Sequence, residues 1–172
     1  MIKPEMAEAL NKQINEELFS SYLYASMIGY FEDLNLKGFS NWFQVQALEE
    51  MEHAKKFITF LYDRGARVKL LAVAEPQHEW DSPLAAFQAA LTHEQHISEC
   101  IDKLSTLAVK LDDHASRVFL EWFVTEQVEE EANADAMSKQ LKLVEGNPHG
   151  LLMLDREAAQ RVFTPPPANA AP

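Results

Sequence analysis

Cysteine is all but missing from the chain: Cys100 stands alone. That excludes an intramolecular disulfide and any zinc or iron–sulfur site built from several thiolates. Glycine is scarce, at five in 172 residues, and the eight prolines (Pro4, Pro76, Pro83, Pro148, Pro165, Pro166, Pro167 and Pro172) keep to the edges of long segments. So little punctuation argues against a β-sandwich or a many-turned α/β fold. No stretch approaches about 18 consecutive apolar residues, so no membrane-spanning helix is expected. Positive charge is also short, with 15 Lys and Arg against 27 Asp and Glu and a formal charge of −12. Such a field repels nucleic acid and anionic membranes, neither of which is expected as a partner, and it attracts cations. The stretch Met1–Leu10 is polar, with Lys3, Glu5 and Glu8, and has no signal-peptide core. A soluble, cytoplasmic, helical protein is the expectation.

What is present is 47% apolar residues, enough for one domain with a sizeable core. Pro4 suits a first helical turn, and the pattern predicts a helix to about Asp33. A second helix is expected from about Lys37 to Arg64, closed by Gly65. The stretch from Ala66 to Asp81 has no clear periodicity. Asp81 or Ser82 should cap a third helix that carries Pro83 in its first turn and runs to about Leu111. A fourth starts at Asp112-Asp113 and ends near Glu145, before Gly146-Asn147-Pro148. A short fifth is expected over about 148–163, followed by a disordered tail at 165–172. Residues 1–164 should form a single domain. Short links make helices one and two, and three and four, antiparallel neighbours. The long middle connection suffices to travel back along a helix of about 40 Å. The expected fold is all-α: a four-helix bundle with one long crossover.

A spacing alternating between four and three residues defines the face each helix turns inward. Helix one gives Leu10, Ile14, Glu17, Ser21, Tyr24, Ile28 and Phe31; helix two gives Phe39, Phe43, Gln46, Glu50, His53, Phe57 and Phe60. Helix three gives Phe87, Leu91, Glu94, Ser98, Ile101, Ser105 and Ala108; helix four gives Leu120, Phe123, Gln127, Glu130, Ala134, Met137, Leu141 and Val144. All four seams are apolar towards their ends and polar near the middle. Glu17, Glu50, Glu94 and the pair Gln127 and Glu130 lie at similar depths along their helices. Four carboxylates and the His53 imidazole therefore converge at one level of the core. Ionised carboxylates so placed cost several kcal/mol each through desolvation and repulsion. Protonation neutralises some of them, and divalent or trivalent cations offset the cost better. Oxygen and imidazole donors suit iron or manganese, whereas structural zinc more often recruits cysteine.

The run Glu49-Glu50-Met51-Glu52-His53, placed after Glu17 and before Glu94, resembles the ferritin di-iron signature. With Gln127-Val128-Glu129-Glu130 on the last long helix, the chain is similar to the bacterial non-haem ferritins over about residues 5–163. The resemblance implies a ferritin-like bundle with a short fifth C-terminal helix. It further implies two iron ions per subunit: Glu17, Glu50 and His53 would hold the first, and Glu50 would share the second with Glu94 and Glu130. Gln127 would sit beside the pair, within reach of a bound water or peroxide. Tyr24, seven residues after Glu17 on the same face, matches the ferritin tyrosine beside the centre. A third iron position is implied from Glu49, Glu126 and Glu129, linked to the pair by Glu130.

Departures from sister families narrow the reading. Bacterioferritins repeat Glu-x-x-His on the last helix, where Gln127 and Glu130 stand here. Met51 occupies the place of their haem-ligating methionine but is read as structural, so haem is not expected. One cysteine cannot build the rubredoxin-like segment of rubrerythrins, and Dps-type miniature ferritins place the site between subunits. Arg117 and Leu120 stand where animal H-type ferritins carry acidic pore residues, which puts a carboxylate-lined three-fold entrance in doubt. Trp122 is read as packing. His93 is expected to be solvated or at a subunit contact, and His96 off to one side. Trp42 and Phe43, read as exterior, and the run Leu151–Leu154 call for further copies of the chain. By resemblance these form a homo-oligomeric shell of about 24 subunits.

The resulting expectation is iron storage with ferroxidase activity: Fe(II) is oxidised by O2 or peroxide and kept as ferric mineral inside the shell. The alternatives are a di-iron oxidase acting mainly in oxygen or peroxide removal, and a non-enzymatic helical module with a vestigial metal site.

Overall fold

The computed structural model describes residues 1–165, and the tail expected from 165 onward lies, beyond Pro165, outside them. The elements are α1 (Pro4–Asp33), α2 (Lys37–Asp63), α3 (Pro83–Lys110), α4 (His114–Leu143) and α5 (Pro148–Ala158), with no strand among the described residues. No helix among these residues is long and apolar enough to cross a membrane.

The helix ends follow local chemistry. Pro4, Pro83 and Pro148 sit in first turns, where their missing N–H costs no intrahelical bond. Side-chain oxygens of Ser82, Asp113 and Asn147 accept from the backbone N–H of Ala85, Ser116 and Gly150 and so cap α3, α4 and α5. Just beyond α2, Gly65 takes a φ of +71° and Ala66 N donates to Leu61 O at 2.8 Å, the left-handed stop expected there.

α1 and α2 form one antiparallel hairpin, and α3 and α4 the other. The crossover runs along α1. Near its start Lys69 N donates to Asn11 Oδ1 at 2.6 Å; further on Ser26 Oγ donates to Gln77 O at 2.7 Å, and Trp80 meets Tyr30 edge-on. Having travelled from the level of Asn11 to that of Tyr30, the chain starts α3 beside the start of α2. Phe87 accordingly packs on Phe39, Trp42 and Phe43. α2 and α3 are therefore parallel, as the length of the middle connection requires.

The core falls into two apolar halves. One gathers Leu23, Met27, Phe31, Phe39, Phe43 and Phe87; the other gathers Leu10, Ile14, Phe57, Ile101, Leu120 and Phe123. The polar residues of the four seams lie between them.

Two expectations are corrected here. α5 ends at Ala158 instead of near 163. Gln160 N and Arg161 N turn to i−3 carbonyls, and the Asn41 amide donates to the carbonyls of Ala158 and Arg161, tying off the last turn. Trp42 and Phe43 are buried within the subunit, not exterior. Phe87 covers both, and the Arg161 guanidinium lies 4.7 Å from the Trp42 ring centroid. Leu151 and Leu154 pack partly against the same cluster, while Leu152 and Met153 stay exposed.

Candidate metal centre

Glu17, Glu50, His53, Glu94, Gln127 and Glu130 project from four helices into the layer between the two apolar halves, and none is more than 5% exposed. Helical spacing explains the grouping: residues three apart share a face, so Glu50 and His53 lie one above the other, as do Gln127 and Glu130. Ligand atoms of Glu17, Glu50 and His53 lie within 4.8 Å of one another. His53 Nδ1 is 3.3 Å from Glu50 Oε2, while its Nε2 is 4.0 Å from Glu126 Oε1. A second trio, His53, Glu126 and Glu130, also closes within 4.8 Å. The two nitrogens of one imidazole thus face different carboxylates.

Neutral donors hold these acids in place. The Tyr24 hydroxyl donates to Glu94 Oε1. The Gln127 amide donates to Glu94 Oε2 at 3.1 Å and to its main-chain carbonyl at 3.2 Å. Gln127 thereby orients a neighbouring acid. Gln46 donates to Glu130 Oε2 at 2.8 Å, and Gln13 to Glu17 Oε1 at 2.9 Å. Among the described residues no lysine or arginine pairs with Glu17, Glu50, Glu94 or Glu130. Glu17 Oε2, Glu50 Oε1 and the Gln46 amide oxygen are buried without any partner.

The electrostatics follow. Burial, then the charge of Glu50, pushes Glu17 well above the carboxylate range. Burial with Glu94 and Glu130 does the same to Glu50. Glu94 is pushed up to about 8 by burial and Glu130. Burial and the adjacent Glu94 push the Tyr24 phenol well up, so it stays a donor. Four acids sharing one buried layer cannot all ionise without a cation. Orphaned carboxylate oxygens and an imidazole suit a hard, oxygen-seeking divalent ion.

Beside this layer, Glu126 is half-buried and Glu129 exposed. Burial raises both Glu126 and Glu49, the latter to about 7 against the pull of Arg161. Arg161 Nη2 donates to Glu49 Oε2 at 2.6 Å. Glu126 and Glu130 come within ligand distance of each other here, whereas Glu49 is turned to Arg161 and Glu129 is outside the trio.

Other side chains fall where packing sends them. His93, expected to be solvated or at a subunit contact, is mostly buried within the subunit: its Nε2 lies 2.8 Å from Ser20 Oγ, and Phe19 and Tyr24 meet its ring edge-on. Burial and His96 lower it to about 4. His96 stays exposed beside Glu16, at 3.2 Å. Trp122 packs edge-on against His53 beneath the Lys56 ammonium. Gln13, Gln46 and Arg161 were not singled out from sequence. Gln46 interrupts its seam one turn before Glu50 and Gln13 stands one turn before Glu17, a signal once those acids are recognised. Arg161 carried none.

Residues 7–144 match the ferritin-like domain family, described as ferritin. The bacterial non-heme ferritin of Staphylococcus saprophyticus is 35% identical over 163 residues, 95% of this chain and 98% of that protein. That of Bacteroides fragilis is 36% identical over 161 residues, 94% and 100%. Among solved structures, the open-pore ferritin of Archaeoglobus fulgidus is 49% identical over 94% of this chain and all of that one, with a TM-score of 0.93. A closed form of it engineered by mutagenesis gives 0.94 at 49% identity over 95% and 100%. The four buried carboxylates and the imidazole thus sit on a bundle shared along nearly its whole length, and the chain belongs to the ferritin family.

Proposed function

We propose that this protein stores iron and is a ferroxidase. Fe(II) is its substrate, taken up as two ions per subunit by Glu17, Glu50, His53, Glu94 and Glu130. O2 or peroxide accepts the electrons, and ferric mineral collects inside a homo-oligomeric shell. The observation that carries this reading is the buried layer itself, with Glu17 Oε2 and Glu50 Oε1 lacking any partner amid uncompensated acids.

Two Fe(II) ions give up two electrons, which convert O2 and two protons to hydrogen peroxide, or peroxide and two protons to water. The protein's share is placement. Glu50 reaches the Glu17 and His53 side while lying in the field of Glu94 and Glu130, so it suits a bridge. Tyr24 and Gln127 fix the orientation of Glu94, and Gln46 that of Glu130. Water is kept out by Phe57 and Phe123 on one side and by Phe43 and Tyr24 on the other. Glu126 and Glu130, with Glu49 and Glu129 near, supply a third position for iron leaving the pair. Haem has no part in this reading.

Exposed Leu48, Met51, Val128 and Met153 give the subunit apolar surface for neighbours, in keeping with a shell of about 24 copies. Electron microscopy after iron loading should show a dense core inside a hollow particle. Glu50→Ala should keep the particle and lose the rapid phase of Fe(II) oxidation. A particle no larger than a dimer would overturn storage. A wild-type initial rate in Glu50→Ala would move the chemistry elsewhere.

A further inference from the structure

Arg161 lies far from the acidic layer in sequence, in the turn just after α5, yet its side chain crosses to α2. Three contacts seat it. Nη2 donates to Glu49 Oε2 at 2.6 Å, Nη1 donates to the Trp42 carbonyl at 3.4 Å, and the guanidinium lies over the Trp42 ring. The Asn41 amide grips the Arg161 carbonyl at 2.9 Å, so backbone and side chain are both fixed. Arg161 and Glu49 are each only 21% exposed, which separates the pair from the loose surface ion pairs of this protein, such as Lys12 with Glu8. Glu49 also lies in the field of Glu130, His53 and Glu126, which stand within ligand distance of one another. Besides the exposed Glu129, Glu49 is the acid that could close this trio into a four-donor cation position, and its carboxylate is already engaged by a cation of the protein's own.

We infer that Arg161 is a positioning residue that competes with metal for Glu49, so that the turn after α5 sets how tightly the third position holds iron. This rests on reading His53, Glu126 and Glu130, with Glu49, as a cation position. A guanidinium that keeps Glu49 turned aside leaves the position weak, suited to iron passing through. Freed of it, Glu49 would swing to the trio and trap the ion. Because the contact joins α5 to α2, any shift of the C-terminal turn against α2 changes that affinity through Glu49, which is not itself a residue of the pair centre.

The test is calorimetric titration of the assembled protein with Zn(II), which is redox-inert, together with crystals soaked in Zn(II). Glu126→Gln identifies which binding step belongs to the third position, since it removes a donor from that position alone. Arg161→Gln should tighten this step about tenfold while leaving the tighter pair-centre steps as they are. Arg161→Lys, which keeps the charge and loses the fork, should fall between. In a Glu49→Gln background the Arg161→Gln change should have no further effect, a coupling that general loosening of α5 would not produce. Soaked crystals of Arg161→Gln should show Glu49 turned towards the ion. If Glu126→Gln leaves every binding step unchanged, there is no third position and the inference falls with it. If Glu126→Gln abolishes a step that Arg161→Gln and Arg161→Lys leave at wild-type affinity, the position stands and the role of Arg161 is refuted.

Discussion

Binding of Mn(II), a redox-quiet stand-in for Fe(II), should expel protons from the metal-free protein, and more of them at low pH than at high pH. The count comes from the acids whose titration is displaced. Burial, then the charge of Glu130, pushes Glu94 up to about 8. It is therefore largely protonated at about pH 6.5 and largely ionised at about pH 8.5. Cation occupancy requires ionised carboxylates, so the protons released per subunit should fall between those pH values. Glu17 and Glu50, raised well above the usual range, add protons at both ends. Calorimetry in pairs of buffers with different ionisation enthalpies measures the number directly. The same displacement fixes the sign of a stability effect. Between 4.5 and about 8 the folded metal-free protein holds a proton on Glu94 that the unfolded chain has lost. Its stabilising effect is fully present below about 4.5 and is lost as pH rises through about 8. The melting temperature of metal-free protein should therefore drop across that window, and saturating Mn(II) should flatten the slope. A proton count that is flat or rises with pH would refute the reasoning, because the acids would then be ionised before metal arrives.

Tyr24→Phe removes the hydroxyl that donates to Glu94, so Mn(II) affinity measured at neutral pH should weaken by up to about tenfold with the particle intact. Gly38→Ala would drive a Cβ into the Asp155 carbonyl, forcing α5 off α2. It should cost about 2 kcal/mol or more in thermal unfolding and open the C-terminal turn to protease. Phe57→Ala deletes a ring stacked on Phe123 with centroids 4.2 Å apart, in a fully buried site. Chemical unfolding should register a loss of about 3–5 kcal/mol.

The helices were legible because their ends carry their own signals: proline in the first turn, a capping Ser, Asp or Asn, and a residue that tolerates positive φ at the stop. The acidic layer was legible for a different reason. Polar residues recurring on a buried face at equal depth in four helices have no cheap packing explanation. What escaped is what depends on partners distant in sequence. The end of α5 is set by Asn41, and the side chain of Arg161 is claimed by Glu49, both more than 100 residues away. On its own helix His93 faces away from the seam, and its buried partners Ser20 and Tyr24 both come from α1. The seam of α3 was half right. Its buried stripe is Ala86, Phe87, Ala90, Glu94, Ile97, Ile101, Leu104 and Ala108, while Leu91, Ser98 and Ser105 lie at the edge. A strict seven-residue repeat drifts by about 20° per heptad against a straight helix, enough to exchange neighbours at the rim.

The division of the core into two aromatic halves explains how the bundle tolerates so costly a waist. Around Phe31 the upper half holds Phe39, Phe43 and Phe87 at centroid distances of 5.4 to 5.8 Å. In the lower half Phe119 stacks on Phe60 at 3.9 Å and meets Phe57 and Phe123 edge-on. Each half links both hairpins without using the acids. Phe87 of α3 reaches α1 and α2, and Phe119 of α4 reaches α2. Folding is therefore carried by the two ends, and the layer between them is left to chemistry. Its desolvation cost is met by protons when metal is absent and by cations when it is present. Because the ends hold the geometry in both cases, the same donors stand ready after each ion leaves, as the proposed oxidation of successive iron ions requires.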